Sequence, residues 1–256
     1  MTVSRHAPLC TICIRTFSGI WKGKPFDRLE FFKRNMQSIF ENTHVDYEVW
    51  IVDDCSTQQS QIDYLAEIEE HPRVHIYRKE KNMGRQHSFA LQRYLGYASE
   101  SPYVYICDDD YEYRSGWLGR LIGSYEMLQR LWEGKRPIGL LSGFHREGFR
   151  EEAEFSAGHH RFGWTKKWLG CRWLMAREVI KNGGGHDETE PLDGWPTSTT
   201  EKWTSPWIDD GSYQMRLSEA YGYEHAFVLM ETPSLVEHIG TRGVHSRPNK
   251  HVWGAK

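Results

Sequence analysis

Three consecutive carboxylates, Asp108, Asp109 and Asp110, follow the apolar run from Tyr103 to Cys107 (YVYIC). Like charges about 4 Å apart repel by roughly 4 kcal/mol where the effective dielectric is near 20, so such a triplet must be solvated or neutralised. Two readings stay open on spacing alone: a solvated acidic turn at a strand end, or a site for a hard divalent cation, which prefers oxygen ligands. A second acidic pair, Asp53 and Asp54, closes the run from Tyr47 to Val52 (YEVWIV) and precedes Cys55, Ser56 and Thr57. Those hydroxyls can cap a following helix. A carboxylate at the end of a central strand can equally accept hydrogen bonds from a ribose or a base ring, as acidic residues do in dinucleotide folds.

The elements that must position these groups are legible as alternating periods. Leu9 to Ile14 and Tyr47 to Val52 read as buried parallel strands, and Arg28 to Phe40, with Leu29, Phe32, Met36, Ile39 and Phe40 apolar, reads as the helix between them. Helices are then expected over Gln61 to Glu70, Ser88 to Ala98 and Trp117 to Leu131, and strands over Val74 to Tyr77 and Tyr103 to Cys107. Such alternation specifies an α/β fold with a mostly parallel sheet covered on both faces, whose ligands bind beyond the carboxyl ends of the strands. Both acidic motifs fall there. After Gly134 come a strand over Ile138 to Ser142, a polar stretch from Arg146 to His160, a further run from Trp168 to Met175, a Gly-, Pro-, Thr- and Ser-rich loop over 181–207, a helix over Tyr213 to Tyr221 and a last strand over Ala226 to Met230.

Bulk properties exclude several classes of partner. With 32 basic and 35 acidic side chains among 256 residues, the formal charge is −3. No global basic field exists to hold a nucleic acid. The apolar stretch from Ala7 to Ile14 is short, broken by Thr11 and followed by Arg15, so neither a signal peptide nor a membrane span is expected. Five cysteines, several inside apolar runs, suit buried thiols in a reducing, cytoplasmic setting. Cys10 and Cys13 form a C-x-x-C spacing, but on a strand they point to opposite faces. Most of the eleven tryptophans lie after residue 130, where flat apolar rings suit a core or a sugar.

Taken in order, LCTICIRTF, VDDCST, NMGRQHSFA and YICDDD resemble the nucleotide-binding half of family 2 glycosyltransferases of the GT-A fold. The resemblance extends over about residues 8–240. It implies a single GT-A domain, with a donor-binding half over about 8–133, an acceptor half over 134–240 and a C-terminal tail over 241–256. In that family the D-x-D motif lies seven residues before a Trp that opens a helix, and Asp110 stands seven before Trp117. Asp108 and Asp110 are thereby implied as the D-x-D pair, with Asp110 on a Mn²⁺ or Mg²⁺ ion and Asp109 beside them. Asp54, with Asp53, resembles the base-reading acid, and Arg15 and Phe17 fall where the first loop lines the base. Asn82, Gly84 and Arg85 resemble the N-x-G-x-x-x-A motif, with Ser88 in place of its Ala, although without the family they are a turn before a helix.

Downstream, Asp209 and Asp210, followed by Arg216, resemble the E-D motif, and an acid there can remove the proton of an acceptor hydroxyl. An Asp at that place can also cap the next helix. Gly183 to Glu188 (GGGHDE) resembles G-G-F-D-E with His186 in place of the aromatic. Pro233 to Gly240 is similar to the segment where many GT-A enzymes put a histidine on the metal or the diphosphate. His238 and His245 are the candidates, the latter in a tail with Arg242 and Arg247. The implied activity is metal-dependent transfer of a sugar from a UDP- or GDP-sugar to a glycan or other glycoconjugate, inverting if Asp210 is the base. Trp164, Trp168, Trp173, Trp203 and Trp207 are candidates for an acceptor platform. A sugar-1-phosphate nucleotidyltransferase would carry a Gly-rich, Arg-containing loop after the first strand, which Thr16 to Gly23 lacks. A non-catalytic carbohydrate-binding relative is the other alternative, and the presence of Asp108, Asp110 and Asp210 argues against it.

Overall fold

The computed structural model describes residues 7–132, 137–144, 153–157, 160–165, 172–183, 213–214, 217–218, 222–229 and 234–240. Its centre is β1 (Cys10–Thr16), buried on both faces as a run of apolar residues requires in a parallel sheet. β4 (Tyr47–Asp53) and β6 (Tyr103–Asp108) flank it in parallel, and β5 (Val74–Arg78) extends the sheet beyond β4. On the other side β11 (Arg172–Ala176) runs antiparallel to β6, followed by β8 (Ile138–Ser142), β12 (Glu224–Leu229), β10 (His160–Thr165) and β9 (Ala153–Ala157). One nine-stranded sheet thus joins the two halves of the sequence.

Helices cover both faces. α1 (Leu29–Asn42), α2 (Gln59–Glu69) and α4 (Trp117–Leu131) pack Phe32, Met36, Leu65, Trp117 and Leu121 against Cys10, Ile12 and Ile14. α3 (Gly84–Ala98) and α5 (Arg177–Gly183) pack Phe89, Val179 and Ile180 against the opposite face, with Cys13, Ile106 and Trp173. Cys10 and Cys13 therefore lie in different cores, as strand alternation predicts, and burial pushes both thiols up in pKa.

β9, β10 and α5 fall where the periodicity reading placed no regular element, and four further features differ from it. α3 starts at Gly84 rather than Ser88, because its first turn (GRQH) is polar and is organised from outside the helix by Asp54. α2 starts at Gln59 with Gln58 as an uncapped N-cap, so Ser56 does not cap it. A hairpin of β2 (Gly19–Trp21) and β3 (Lys24–Phe26) interrupts the loop after β1, turning through Lys22 and Gly23 at positive φ. Last, β7 (Tyr111–Tyr113) pairs antiparallel with β13 (Val236–His238), bringing residues of the sequence's end beside the acidic triplet. These two pairs are built from three-residue strands, too short to show a period.

Candidate active site

The carboxyl edge of β1, β4 and β6 gathers the acidic residues. Arg15 pairs in register with Asp108, and its Nε donates to Asp108 Oδ1. Its Nη1 donates to the Arg85 carbonyl at 3.1 Å, tying the end of β6 to the first turn of α3. Asp109 is held at Oδ2 by the Thr16 hydroxyl at 2.7 Å and at Oδ1 by Arg28 Nη2 at 2.6 Å. The same Arg28 nitrogen reaches Asp110 Oδ2 at 2.7 Å. The three carboxylates thus differ in exposure: the Asp108 side chain is 29% accessible, whereas Asp109 and Asp110 are buried.

This corrects one step of the sequence argument. Repulsion within the triplet does not by itself call for a metal, because Arg15, near the end of β1, and Arg28, at the start of α1, already supply two positive charges. Burial raises the pKa of Asp109 against the pull of Arg28. Burial acts on Asp110 in the same direction, but the His238 contact and the Arg28 guanidinium together outweigh it and hold Asp110 below the ordinary carboxylate range.

His238 Nε2 lies 3.0 Å from Asp110 Oδ2. The pairing His238↔Tyr111 and the bond from Ile239 N–H to the Asp110 carbonyl, at 2.9 Å, set that approach through the backbone. Gly240 completes it: a Cβ there would stand 2.0 Å from Asp110 Oδ2, so any side chain would displace the carboxylate or the backbone beside it. A carboxylate oxygen and an imidazole nitrogen 3.0 Å apart at this strand end form a donor set suited to a divalent first-row cation. Among the described residues no group of three His, Cys, Asp or Glu side chains is gathered tightly enough to hold a metal alone. Two side chains alone would leave positions for phosphate oxygens and water, the usual arrangement for ions that work on diphosphates.

Asp54 has a different setting. Its Oδ1 accepts from Lys79 Nζ and from Met83 N–H, both at 2.8 Å, and its Oδ2 accepts from Gly84 N–H at 2.9 Å. The carboxylate therefore anchors the start of α3, where backbone donors lack helical partners. Lys79 also donates to Ser88 Oγ at 2.8 Å; burial lowers its pKa despite the Asp54 charge. Asn82 Oδ1 receives the same Gly84 N–H at 3.1 Å. Asp53 is fully buried and bound to Ser56 through its N–H and, at 2.5 Å, its hydroxyl, which fixes the loop after β4. Phe17 stacks on Phe26 with ring centroids 6.2 Å apart, fastening the hairpin to this edge, and the Arg85 side chain is exposed.

The structure brings Arg15, Asp108, Asp109, Asp110 and His238 together and sets Asp54, Asn82 and Gly84 at the adjoining strand end. Asp209, Asp210, His245, Trp168, Trp203, Trp207 and the 184–188 segment lie outside the described residues, as does the side chain of Trp164. Trp173 is fully buried against Phe89 and Tyr213, so it belongs to the core. Sequence reasoning missed Arg28, Lys79 and Gly240. The first two carry no local signal, since each finds its partners across the fold; Gly240, two residues beyond a candidate histidine, was visible only as a residue type.

Residues 26–130 match the family described as Glycosyl transferase family 2. No curated protein sequence matches the chain. Among solved structures it resembles a mannosyltransferase from Pyrobaculum calidifontis in complex with GDP-Man and Mn²⁺, at 16% identity and TM-score 0.56, over 90% of this chain and 58% of that one. GalNAc-T7 with UDP, GalNAc and Mn²⁺ is similar at 13% identity and TM-score 0.54, over 88% of this chain and 43% of that one. S. aureus TarS is similar at 11% and 0.54, over 91% and 37%. The chain thus spans between 37% and 58% of the length of these three, and what it shares with them is the GT-A fold.

Proposed function

We propose, from the premise that this is a family 2-like glycosyltransferase of the GT-A fold, that it transfers a sugar from a nucleotide-diphosphate donor to a hydroxyl of a glycan or other glycoconjugate. The observation that carries the reading is the Asp110–His238 pair at the carboxyl edge of the sheet, 3.0 Å apart, with Gly240 packed directly against the carboxylate. The relatives named with UDP or GDP-Man and Mn²⁺ make a UDP- or GDP-sugar the donors to try first.

Asp110 and His238 would hold a Mn²⁺ or Mg²⁺ ion, with the more open Asp108 beside them. When bound, such an ion supplies Lewis acidity that offsets the charge growing on the departing nucleoside diphosphate. Arg15, Phe17, Asp53, Asp54, Asn82, Gly84 and Arg85 would frame the nucleotide. With three hydrogen bonds already accepted, Asp54 would act on the nucleoside chiefly by fixing the start of α3, leaving one carboxylate lone pair for direct contact. Asp109, tied to Thr16 and Arg28, would orient its two neighbours.

Asp210, with Asp209 adjacent, would take the proton of the acceptor hydroxyl. The acceptor oxygen then bonds to the anomeric carbon while the electrons of the carbon–phosphate oxygen bond leave with the diphosphate, and the configuration inverts. Release of nucleoside diphosphate from candidate sugar donors, measured with Mn²⁺ and then with EDTA, tests the reading. Loss of release in EDTA is expected; release that ignores the chelator removes the metal, and retention in the anomeric-proton NMR spectrum of the product removes Asp210 as an inverting base. Thermal shifts with UDP, GDP, CMP and dTDP identify the nucleotide, since a ligand of the folded state raises its stability.

A further inference from the structure

We infer that Arg172 is an anion-binding side chain of this same site, taking an oxyanion of the substrate; the inference rests on the glycosyltransferase reading. Arg172 opens β11 directly opposite Cys107, the last residue before the acidic triplet, so its guanidinium stands at the edge where the donor would bind. Its central carbon lies 4.0 Å from the Phe144 ring centroid and 5.4 Å from that of Tyr111, and its Nη1 donates to the Tyr111 hydroxyl at 2.8 Å. Tyr111 follows Asp110 immediately, and its ring lies 5.1 Å from the imidazole of His238. One aromatic ring therefore separates the guanidinium from the carboxylate–imidazole pair.

What distinguishes Arg172 is that it has no counter-ion among the described residues. Arg15 and Arg28, at the same edge, are matched to Asp108 and to Asp109 and Asp110. Among the described residues no carboxylate pairs with Arg172, and its Nε is buried without a hydrogen-bond partner. Taking a guanidinium partly out of water without an anion is costly; two rings cover its faces, while the Tyr111 hydroxyl takes one in-plane N–H and leaves Nε without a partner among the described residues. Those donors form a rigid fork that matches phosphate or carboxylate oxygens. The pairing oxygens have two possible sources: the donor's diphosphate, or the carboxylate of an acidic sugar such as a uronic acid.

Wild type, R172K and R172Q are titrated calorimetrically with Mn²⁺ present, using UMP, UDP, UDP-glucose and UDP-glucuronate and, in parallel, GMP, GDP, GDP-mannose and GDP-mannuronate. Tenfold or greater weakening of diphosphates in R172Q, with monophosphates unchanged, assigns the diphosphate. Unchanged diphosphates with loss of the preference for the acidic over the neutral sugar nucleotide assign the carboxylate. R172K, which keeps the charge without the fork, is expected between the two. Equal affinities of wild type and R172Q for every probe overturn the inference and leave Arg172 a strut between Phe144 and Tyr111, whatever its melting temperature. If wild type binds no nucleotide, the glycosyltransferase reading fails separately. Arg172 is then judged on pyrophosphate and glucuronate, where binding that R172Q matches, or binding by neither protein, also overturns it.

Discussion

His238 Nε2 meets Asp110 Oδ2 at 3.0 Å although 128 positions separate them in sequence. The contact exists because β13 adds to β7, a three-residue strand that begins one residue beyond the triplet. If the pair holds the cation, D110N and H238A should each weaken Mn²⁺-dependent activity while leaving the fold intact. For D110N the expected loss in kcat/KM is at least about 100-fold, or roughly 2.7 kcal/mol of transition-state stabilisation. Steady-state kinetics over a Mn²⁺ titration check this. A variant with wild-type kcat/KM and an unshifted Mn²⁺ dependence would remove its residue from the metal.

Gly240 offers a probe that changes no charge. A Cβ placed 2.0 Å from Asp110 Oδ2 must push either the carboxylate or the segment after β13 out of place. Displacements of about 1 Å at reacting groups can lower rates by about 100-fold, so G240A should approach the defect of D110N while changing the melting temperature little. Near-normal activity in a folded G240A protein would show that Asp110 need not sit where it does.

Much of this arrangement was readable beforehand, for identifiable reasons. The runs leading to Asp53 and Asp108 are apolar apart from Glu48 because parallel strands are buried on both faces, and the acids had to follow at the carboxyl edge. His238 was selected by resemblance and does lie at Asp110. Arg28 and Lys79 were illegible because an ion pair 81 or 25 residues apart in sequence leaves no periodic trace; each is fixed only once three strands stand side by side. The start of α3 was missed for a related reason, since its N-terminal donors are satisfied chiefly by Asp54, just beyond β4, with Asn82 sharing the Gly84 N–H and no side-chain bond from the N-cap residue Met83.

The Lys79–Asp54 pair leads to a stability prediction. Both side chains are less than 10% exposed, so removing one leaves a buried charge without its partner. K79M should cost about 3–5 kcal/mol in urea denaturation, and the double variant K79M/D54N should be more stable than K79M alone because the orphaned charge is gone. A K79M protein as stable as wild type would mean that the Met83 and Gly84 N–H groups suffice for Asp54.

His87, in the first turn of α3, contributes a pH dependence. Burial, assisted by the positive charge of Lys79, lowers its pKa from an ordinary 6.5 to about 4. Between those values the unfolded chain binds a proton at this residue that the folded chain does not, so stability rises with pH across the interval. The His87 contribution is present in full above about pH 6.5 and is lost as the pH falls towards 4. Melting temperatures recorded from pH 7.5 to 4 should fall more steeply for wild type than for H87N, which cannot take up that proton. Parallel curves for the two proteins over this range would show that His87 protonates equally in both states, and that its burial beside Lys79 does not control the acid limb.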